Sequence, residues 1–318
     1  MNDEILLTLF TAPKAFTDPH IAVIQENALK SWQQMSPNVQ VVVIGDEEGL
    51  AEACQRLGLL HLPGVDRSSY GTPLVSSIFS LGRGVNTSPF LAYVNADIIL
   101  FPDFMEKIIE ASRMADKFLM VGQRYDLAQE DLIDFSEGWE AKLRQKVKEE
   151  GRLHPKTGSD YFAFPRTTFD QIPEFAVGRA GWDNWMIYRA RRMHWRLIDA
   201  SPSLSIVHQD HNYAHLPGGQ PHYRLPETGE NIILAGGRRT IFDLNDATDL
   251  LIEGSLQPLG SSWKRFWREF EIAPLVERGN YKLTQFLFML LHPMRYLRER
   301  KKEKEMRAKL LASRRGGS

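Results

Sequence analysis

Residues 93–100 place an amide and a carboxylate, Asn95 and Asp97, within an otherwise apolar stretch. A carboxylate that directly follows a strand is well placed to hold a hard divalent cation. Mg²⁺ takes only one or two protein carboxylates, while a bound diphosphate supplies other oxygens. The same residue types also cap helices and shape turns. The stretch therefore predicts either a cation site or a local turn.

A second acid, Asp183, stands between Trp182 and Trp185 ahead of a predicted helix. A carboxyl group against apolar aromatic walls tends to have a raised pKa, which suits a general base. Taken alone, the segment fits better an N-cap aspartate between two core tryptophans.

Four of the nine histidines, His208, His211, His215 and His222, lie within fifteen residues that begin where a strand ends. One interpretation is a polar loop with partly exposed imidazoles, and another makes one histidine a ligand of the same cation. A structural zinc site is less favoured because the spacing is irregular and no cysteine lies nearby.

Strand-like apolar runs at residues 5–10, 41–44, 91–94 and 118–121 alternate with helix-like stretches. This repeated βαβ pattern predicts an α/β domain with a mostly parallel sheet flanked by helices. Ligands of such sheets bind beyond the carboxyl ends of the strands. We expect this domain to span residues 1–240, followed by a C-terminal helical extension with a basic tail over 241–318.

Charge is distributed unevenly along the chain. Residues 295–315 contain ten lysines and arginines against three glutamates, a local charge of +7, which leaves −8 on the rest of a chain whose net charge is −1. The acidic body excludes nucleic acid as its partner on electrostatic grounds. The single cysteine, Cys54, excludes an intrachain disulfide framework.

Taken in order, these segments resemble the nucleotide-sugar-dependent glycosyltransferases of GT-A fold, a Rossmann-like α/β fold, and most closely their family-2-like branch. The resemblance covers residues 4–235. The matching segments are Leu9-Phe10-Thr11-Ala12-Pro13, Gly45-Asp46-Glu47, Tyr70-Gly71-Thr72-Pro73-Leu74-Val75-Ser76-Ser77, Asn95-Ala96-Asp97, Gly158-Ser159-Asp160-Tyr161-Phe162, Gly181-Trp182-Asp183 and His208.

The resemblance implies a transfer of a sugar from a nucleotide-diphosphate sugar to an acceptor hydroxyl, with inversion and with Mn²⁺ or Mg²⁺. It assigns donor binding to Thr11, Ala12, Asp46, Gly71, Asn95 and Asp97, and metal binding to Asp97 with His208 or His211. It implies that Asp183 is the catalytic base. It assigns acceptor binding to Asp160, Trp182 and Trp185. Asn95 departs from the family pattern, in which an acid stands at that position, so Asn95→Asp is predicted to keep or raise metal affinity.

Two alternatives remain open. A sugar-1-phosphate nucleotidyltransferase shares a similar fold, but residues 11–16 lack the glycines of a triphosphate cradle. A non-catalytic, membrane-associated sugar-nucleotide-binding module is supported by the missing first acid.

The C-terminal part, residues 261–315, combines apolar side chains with the basic tail and predicts an anionic membrane surface as a partner. Its apolar residues are Phe266, Trp267, Phe270, Ile272 and the run 286–291, beside Lys264, Arg265 and Arg268. The acceptor would then be a glycan or a lipid-linked glycan. Because the start of the sequence lacks a signal-peptide pattern, we expect a cytoplasmic protein, peripheral at the inner face of the membrane.

Overall fold

The computed structural model describes residues 4–211 and 225–315. The strands are β1 (Leu7–Thr11), β2 (Val39–Ile44), β3 (Leu60–Leu62), β4 (Phe90–Val94), β5 (Ile98–Leu100), β6 (Phe118–Val121), β7 (Tyr125–Leu127), β8 (Arg152–Leu153), β9 (Tyr161–Pro165), β10 (Arg196–Asp199), β11 (Ile206–Gln209), β12 (Asp249–Ile252) and β13 (Ser255–Pro258). The helices are α1 (Pro19–Gln33), α2 (Leu50–Leu57), α3 (Val75–Gly84), α4 (Phe104–Ser112), α5 (Trp139–Glu150), α6 (Trp182–Arg192), α7 (Pro226–Leu234), α8 (Trp263–Arg278), α9 (Tyr281–Leu291) and α10 (Pro293–Arg315).

The fold is mixed α/β, with a large central sheet flanked by helices. Nine strands form this sheet in the order β13-β12-β10-β6-β9-β4-β1-β2-β3. The neighbours from β4 to β3 are parallel, as are β12, β10 and β6. The four apolar runs predicted as strands are confirmed as parts of β1, β2, β4 and β6.

The expectation of a mostly parallel sheet needs correction, because the sheet is mixed. Strand β9 lies between β4 and β6 and is antiparallel to both, and β13 is antiparallel to β12. The segment before β9 lies at the carboxyl end of β4, where the Asn95 N–H donates to the Asp160 carbonyl at 2.9 Å. A strand that starts at this edge runs back against its neighbours.

A second, four-stranded sheet has the order β5-β11-β7-β8 and lies beside the carboxyl edge of the main sheet. Strand β11 is antiparallel to β5 and parallel to β7, which places His208 opposite both Ile98 and Asp126. This pairing brings His208 and His211 next to the Asn95-Ala96-Asp97 turn.

The core covers both faces of the main sheet, because successive side chains of a strand point to opposite faces. Phe10, Val42 and Ile44 pack in one apolar cluster, whereas Leu9 and Val43 pack in the other. All five are fully buried. This two-sided burial explains why β1 and β2 have continuous apolar sequences.

The first residues of α1 explain why the segment after β1 is helical. Asp18 is its N-cap and accepts hydrogen bonds from the N–H groups of His20 and Ile21 at 2.9 and 3.1 Å. Pro19 occupies the first turn, where its missing N–H costs nothing. The helix buries Trp32, whose indole N–H donates to the Ile98 carbonyl at 2.9 Å and so ties α1 to the second sheet.

Gly82 in α3 permits close packing on β1, and we expect Gly82→Ala to lower the free energy of unfolding by about 1–3 kcal/mol through overpacking. A Cβ at Gly82 would lie 2.6 Å from the buried ring of Phe10. Gly84 in the same helix faces open space, so Gly84→Ala is the matched control. Urea denaturation measures both variants, and equal stability of the two would contradict this packing.

The residues after 240 add two strands to the main sheet before the C-terminal helices begin. Strands β12 and β13 lie beyond residue 240 and form one edge of that sheet. The expected division at residue 240 stays a prediction. Within residues 4–211 and 225–315, no helix has both the length and the apolar character needed to cross a membrane.

Candidate functional site

A cleft of about 700 Å³ opens at the carboxyl ends of β1, β4 and β6. This is the edge where open α/β sheets bind ligands. The predicted site residues that line it are Ala12, Gly71, Asn95, Asp97, Asp160, Trp182, Asp183, His208 and His211. Thr11, Asp46 and Trp185 are not among its lining residues. The topology thus brings most of the predicted residues to one cavity, and their individual roles stay predictions.

Asp97, His208 and His211 present one ligand atom each within 4.8 Å of one another. The Nε2 atoms of His211 and His208 lie 3.1 and 3.8 Å from Asp97 Oδ2. Burial alone would raise the pKa of Asp97, but the hydrogen bond to His211 and the charges of His208 and Lys14 outweigh it. The pKa of Asp97 therefore lies well below its usual range, and the carboxylate stays ionised.

The carboxylate of this group suits a bound cation. Asp97 Oδ1 is buried and has no hydrogen-bond partner among the described residues. Burial also lowers the pKa of His208, which favours the neutral, ligating imidazole. One carboxylate and two imidazoles form a donor set that fits a divalent transition metal. His215 and His222 lie outside the described residues.

Asp126 stands behind His208 on the neighbouring strand β7. Its Oδ1 lies 3.4 Å from His208 Nδ1, and its Oδ2 lies 2.7 Å from His154 Nδ1. Asp126 and Asp210 also form a second possible ligand group with His208. A carboxylate behind the other ring nitrogen is the usual means of orienting a metal-binding histidine.

Asp160 is held in a polar network rather than left free in the cleft. Its Oδ1 accepts hydrogen bonds from Asn95 Nδ2 at 3.0 Å and from Arg124 Nη1 at 2.6 Å. Arg124 also donates to Asp126 through Nε at 2.9 Å. This chain of contacts joins the end of β4 to the second sheet, so Asn95 has a structural partner that the sequence did not reveal.

We expect Asn95→Asp to destabilise the protein, in contrast to the gain in metal affinity expected from sequence. The new carboxylate would replace a donor 3.0 Å from Asp160 Oδ1, and two close carboxylates raise the pKa of one of them. A group with a raised folded-state pKa contributes stability below its unfolded pKa and loses it as the pH rises. The loss, about 1–3 kcal/mol at neutral pH, should therefore shrink on acidification.

Thermal melting of Asn95→Asp and the native protein between acidic and neutral pH measures this effect. Asn95→Ala is the control, because it removes the same donor without adding a charge. A variant with unchanged melting at neutral pH and tighter Mn²⁺ binding would show that the expectation from sequence was right.

Asp183 lies in the first turn of α6, and Gly181 rather than Asp183 is the N-cap of that helix. The N-cap interpretation is therefore wrong. Asp183 Oδ1 accepts a hydrogen bond from the Gly181 N–H at 3.1 Å. Burial raises the pKa of Asp183 above its usual value, against backbone hydrogen bonds that lower it. A carboxyl group with a raised pKa on the wall of a cleft has the properties of a general base.

The tryptophans beside Asp183 are core residues. Trp182 and Trp185 are 5% and 8% exposed. The Trp182 ring packs edge-on against Tyr93, with centroids 5.2 Å apart, and Trp185 packs against Phe175. Trp182 still lines the cleft, but this burial leaves either ring little surface on which an acceptor could stack.

The residues at the ends of β1 and β2, which are predicted to bind the donor, are partly exposed. Arg67 pairs with Asp46 and also with Glu47, at 2.9 Å. The hydrogen bond from Arg67 is the main cause of the lowered pKa of Asp46. Thr11 is buried, and its hydroxyl has no hydrogen-bond partner among the described residues. Arg67, Glu47 and Ala12 line the cleft at this end.

Cationic side chains complete the lining, and none of them was assigned a role from the sequence. Lys14, Arg124 and Arg179 all face the cleft. Burial lowers the pKa of Lys14, while the charge of Asp97 raises it. Lys14 follows β1, and Arg124 and Asp126 follow β6. Arg124 and Asp126 follow the apolar run 118–121, so the rule that ligands bind beyond strand ends also points to these two residues.

Comparison with known proteins gives little beyond this geometry. No family model and no curated protein matches the chain. Among solved structures it is similar to a mannosyltransferase from Pyrobaculum calidifontis in complex with GDP-Man and Mn²⁺, at 12% identity and a TM-score of 0.46. The match covers 73% of this chain and 63% of that one, less than two thirds of its length. A similarity of this degree does not establish a shared activity.

Proposed function

We propose that this chain is a metal-assisted glycosyltransferase of GT-A type, which moves a sugar from a nucleotide-diphosphate sugar to an acceptor hydroxyl with inversion. The observation that carries the proposal is one cleft that contains both a candidate cation site, Asp97 with His208 and His211, and a half-buried acid of raised pKa, Asp183. The order of sequence segments that resembles this family supports the same reading.

In the proposed reaction, Asp183 accepts the proton of the acceptor hydroxyl as its oxygen attacks the anomeric carbon. Attack from the face opposite the leaving group inverts that centre. The pKa of Asp183 is raised towards the pH at which the reaction runs, which makes its carboxylate a stronger base. The hydrogen bond from the Gly181 N–H holds Oδ1 of this carboxylate in place.

A divalent cation held by Asp97, His208 and His211 would offset the negative charge that develops on the departing diphosphate. Lys14 and Arg179 line the same cleft and would bind the phosphate oxygens directly. We propose Mn²⁺ rather than Mg²⁺, because two of the three ligand atoms are imidazole nitrogens, whereas Mg²⁺ prefers oxygen.

Asp160 would accept a hydrogen bond from a sugar hydroxyl. The hydrogen bonds from Asn95 and Arg124 both end on its Oδ1. Among the described residues Oδ2 accepts none, and Asp160 lines the cleft. Arg124 and Asn95 would therefore hold the carboxylate in position for a hydroxyl of the acceptor. The acceptor in this proposal is a glycan or a lipid-linked glycan.

A donor screen tests the proposal at the level of binding. UDP-, GDP- and dTDP-sugars are added with Mn²⁺, with Mg²⁺ or with EDTA, and the melting temperature is recorded. We expect one nucleotide class to raise the melting temperature with Mn²⁺, less with Mg²⁺ and least with EDTA, because a ligand that binds only the folded state stabilises it. Equal shifts with Mn²⁺ and EDTA would contradict a cation site shared with the donor.

A further inference from the structure

Four aromatic side chains form an exposed row on α8. Trp263, Phe266, Trp267 and Phe270 are 73%, 56%, 38% and 48% exposed. Their spacing of three and four residues places them on one face of the helix. Neighbouring rings contact each other with centroids 5.5 to 5.8 Å apart. A contiguous exposed apolar surface of this kind marks an interaction site.

The row belongs to a helix whose position is fixed by its other face. Ile272, Leu275 and Val276 of α8 are buried in the main core. Arg268 pairs with Asp246 at 2.7 Å. Helix α8 is therefore firmly packed, and loose attachment of the helix does not explain why the aromatic row is exposed.

Helices α9 and α10 also carry exposed apolar side chains. Their exposed apolar side chains are 44–69% accessible and are Leu283, Phe286, Leu290, Met294 and Leu297. The beginning of α10 is held against the body, because Glu299 pairs with Arg239 and the Arg239 guanidinium lies 3.4 Å from the centre of the Phe288 ring.

Positive charge follows directly on this apolar surface. Arg298, Arg300, Lys301, Lys302 and Lys304 of α10 are exposed. Residues 295–315 carry +7, while the rest of the chain carries −8. A negatively charged surface would attract α10 and repel the body, so it would orient the molecule with its C-terminal helices toward that surface.

We propose that α8, α9 and α10 bind the surface of an anionic lipid membrane, with the aromatic row of α8 in the interfacial layer and the exposed basic side chains of α10 against the headgroups. Tryptophan is favoured at that interface, and apolar area together with basic charge sets the strength of interfacial binding. A second copy of the chain fits this surface less well, because pairing would bring two +7 segments together. The inference does not depend on the proposed catalytic function.

Only some of the residues singled out from sequence belong to this surface. Arg265 donates to the Ala247 carbonyl at 2.8 Å, and Arg268 binds Asp246, so both serve the body of the protein. Ile272 is buried. Trp263, which was not singled out from sequence, is the most exposed member of the row. The charge attraction therefore comes from α10 and the apolar contact from α8.

Tryptophan fluorescence of the full chain offers a specific test. Five of the seven tryptophans, Trp32, Trp139, Trp182, Trp185 and Trp195, are buried, so quenching by aqueous acrylamide reports on Trp263 and Trp267. Vesicles of phosphatidylcholine with phosphatidylglycerol should shift the emission to the blue, reduce quenching and carry the protein down on sedimentation. Raising the salt should weaken these effects, and pure phosphatidylcholine should produce little of them.

Substitutions locate the binding surface. Trp263→Ala with Phe266→Ala should weaken partitioning onto anionic vesicles roughly tenfold, and Arg298→Ala with Arg300→Ala should weaken binding and reduce its salt dependence. Leu132→Ala with Leu153→Ala is the matched control, because these leucines are 52% and 54% exposed outside the C-terminal helices. Unchanged melting temperatures show that the variants fold.

Three outcomes would overturn the proposal. In the first, the native chain does not sediment with anionic vesicles. In the second, the α8 variant binds as tightly as the control. In the third, the exposed tryptophans become protected without vesicles as the mass doubles in light scattering, which would assign the surface to a second copy.

Discussion

Replacing Asp183 by asparagine is expected to lower kcat by about 10²–10⁴-fold while donor binding is retained. The amide keeps the size of the side chain and can still accept a hydrogen bond from the Gly181 N–H, but it is no longer basic. Because the lost interaction is proton transfer in the transition state, kcat and kcat/KM should fall together. Asp116→Asn, at an exposed position outside the cleft, is the control for a change of acid to amide. A rise of KM with unchanged kcat would show that Asp183 only positions the acceptor.

The pH profile supplies a second readout for the same residue. A general base must be ionised, so kcat should rise as the pH increases through the pKa of Asp183. Burial raises that pKa, and the ascending limb should therefore lie above the range of an ordinary aspartate. The Asp183→Asn variant should lack this limb. An identical limb in the variant would assign the ionisation to another group.

Replacing Asp97 by asparagine is expected to abolish Mn²⁺ binding measured by calorimetry and to reduce transfer about 10³-fold, since a metal supplies several kcal/mol of charge stabilisation. Alanine would remove the size of this side chain as well as its charge. The Asp97 side chain is only 18% exposed and faces His208, His211 and Lys14. Asparagine is therefore the better test, because it retains the size of the residue in a mostly buried position.

Calorimetry with Mn²⁺ alone separates metal binding from catalysis. The native protein should bind Mn²⁺, Asp97→Asn should not, and Asp116→Asn should bind it as the native protein does. Melting temperatures report whether the Asp97 variant is folded. A folded Asp97→Asn protein with native Mn²⁺ affinity would exclude Asp97 as a ligand, and full turnover in that variant would exclude it from the reaction.

The α/β class and the first strands were predictable because they depend on local sequence. Continuous apolar runs such as 41–44 indicate strands buried on both faces, whichever strands become their neighbours. The direction of β9 was not predictable in this way. It depends on the route of the chain from β6 through α5 and back to the edge of the sheet, and no residue pattern within β9 records that route.

Most of the residues singled out from sequence line the cleft, but their arrangement could not be predicted. Asp97 and His208 are adjacent because β11 pairs with β5, and such short strands have too few residues for their pairing to be inferred from sequence. The contact between Asn95 and Asp160 could not be predicted for the same reason, since the two residues lie on distant segments. The exposure of the row on α8 likewise depends on which face of that helix the body covers.

Product analysis tests the central claim most directly. The native protein is incubated with Mn²⁺ and the donor that stabilises it in the screen, and the phosphate-containing products are separated and identified. We predict release of the nucleoside diphosphate, at a rate lowered by Asp183→Asn and by Asp97→Asn but not by Asp116→Asn. Formation of pyrophosphate from a nucleoside triphosphate and a sugar phosphate, or no turnover of any donor that binds, would contradict a glycosyltransferase.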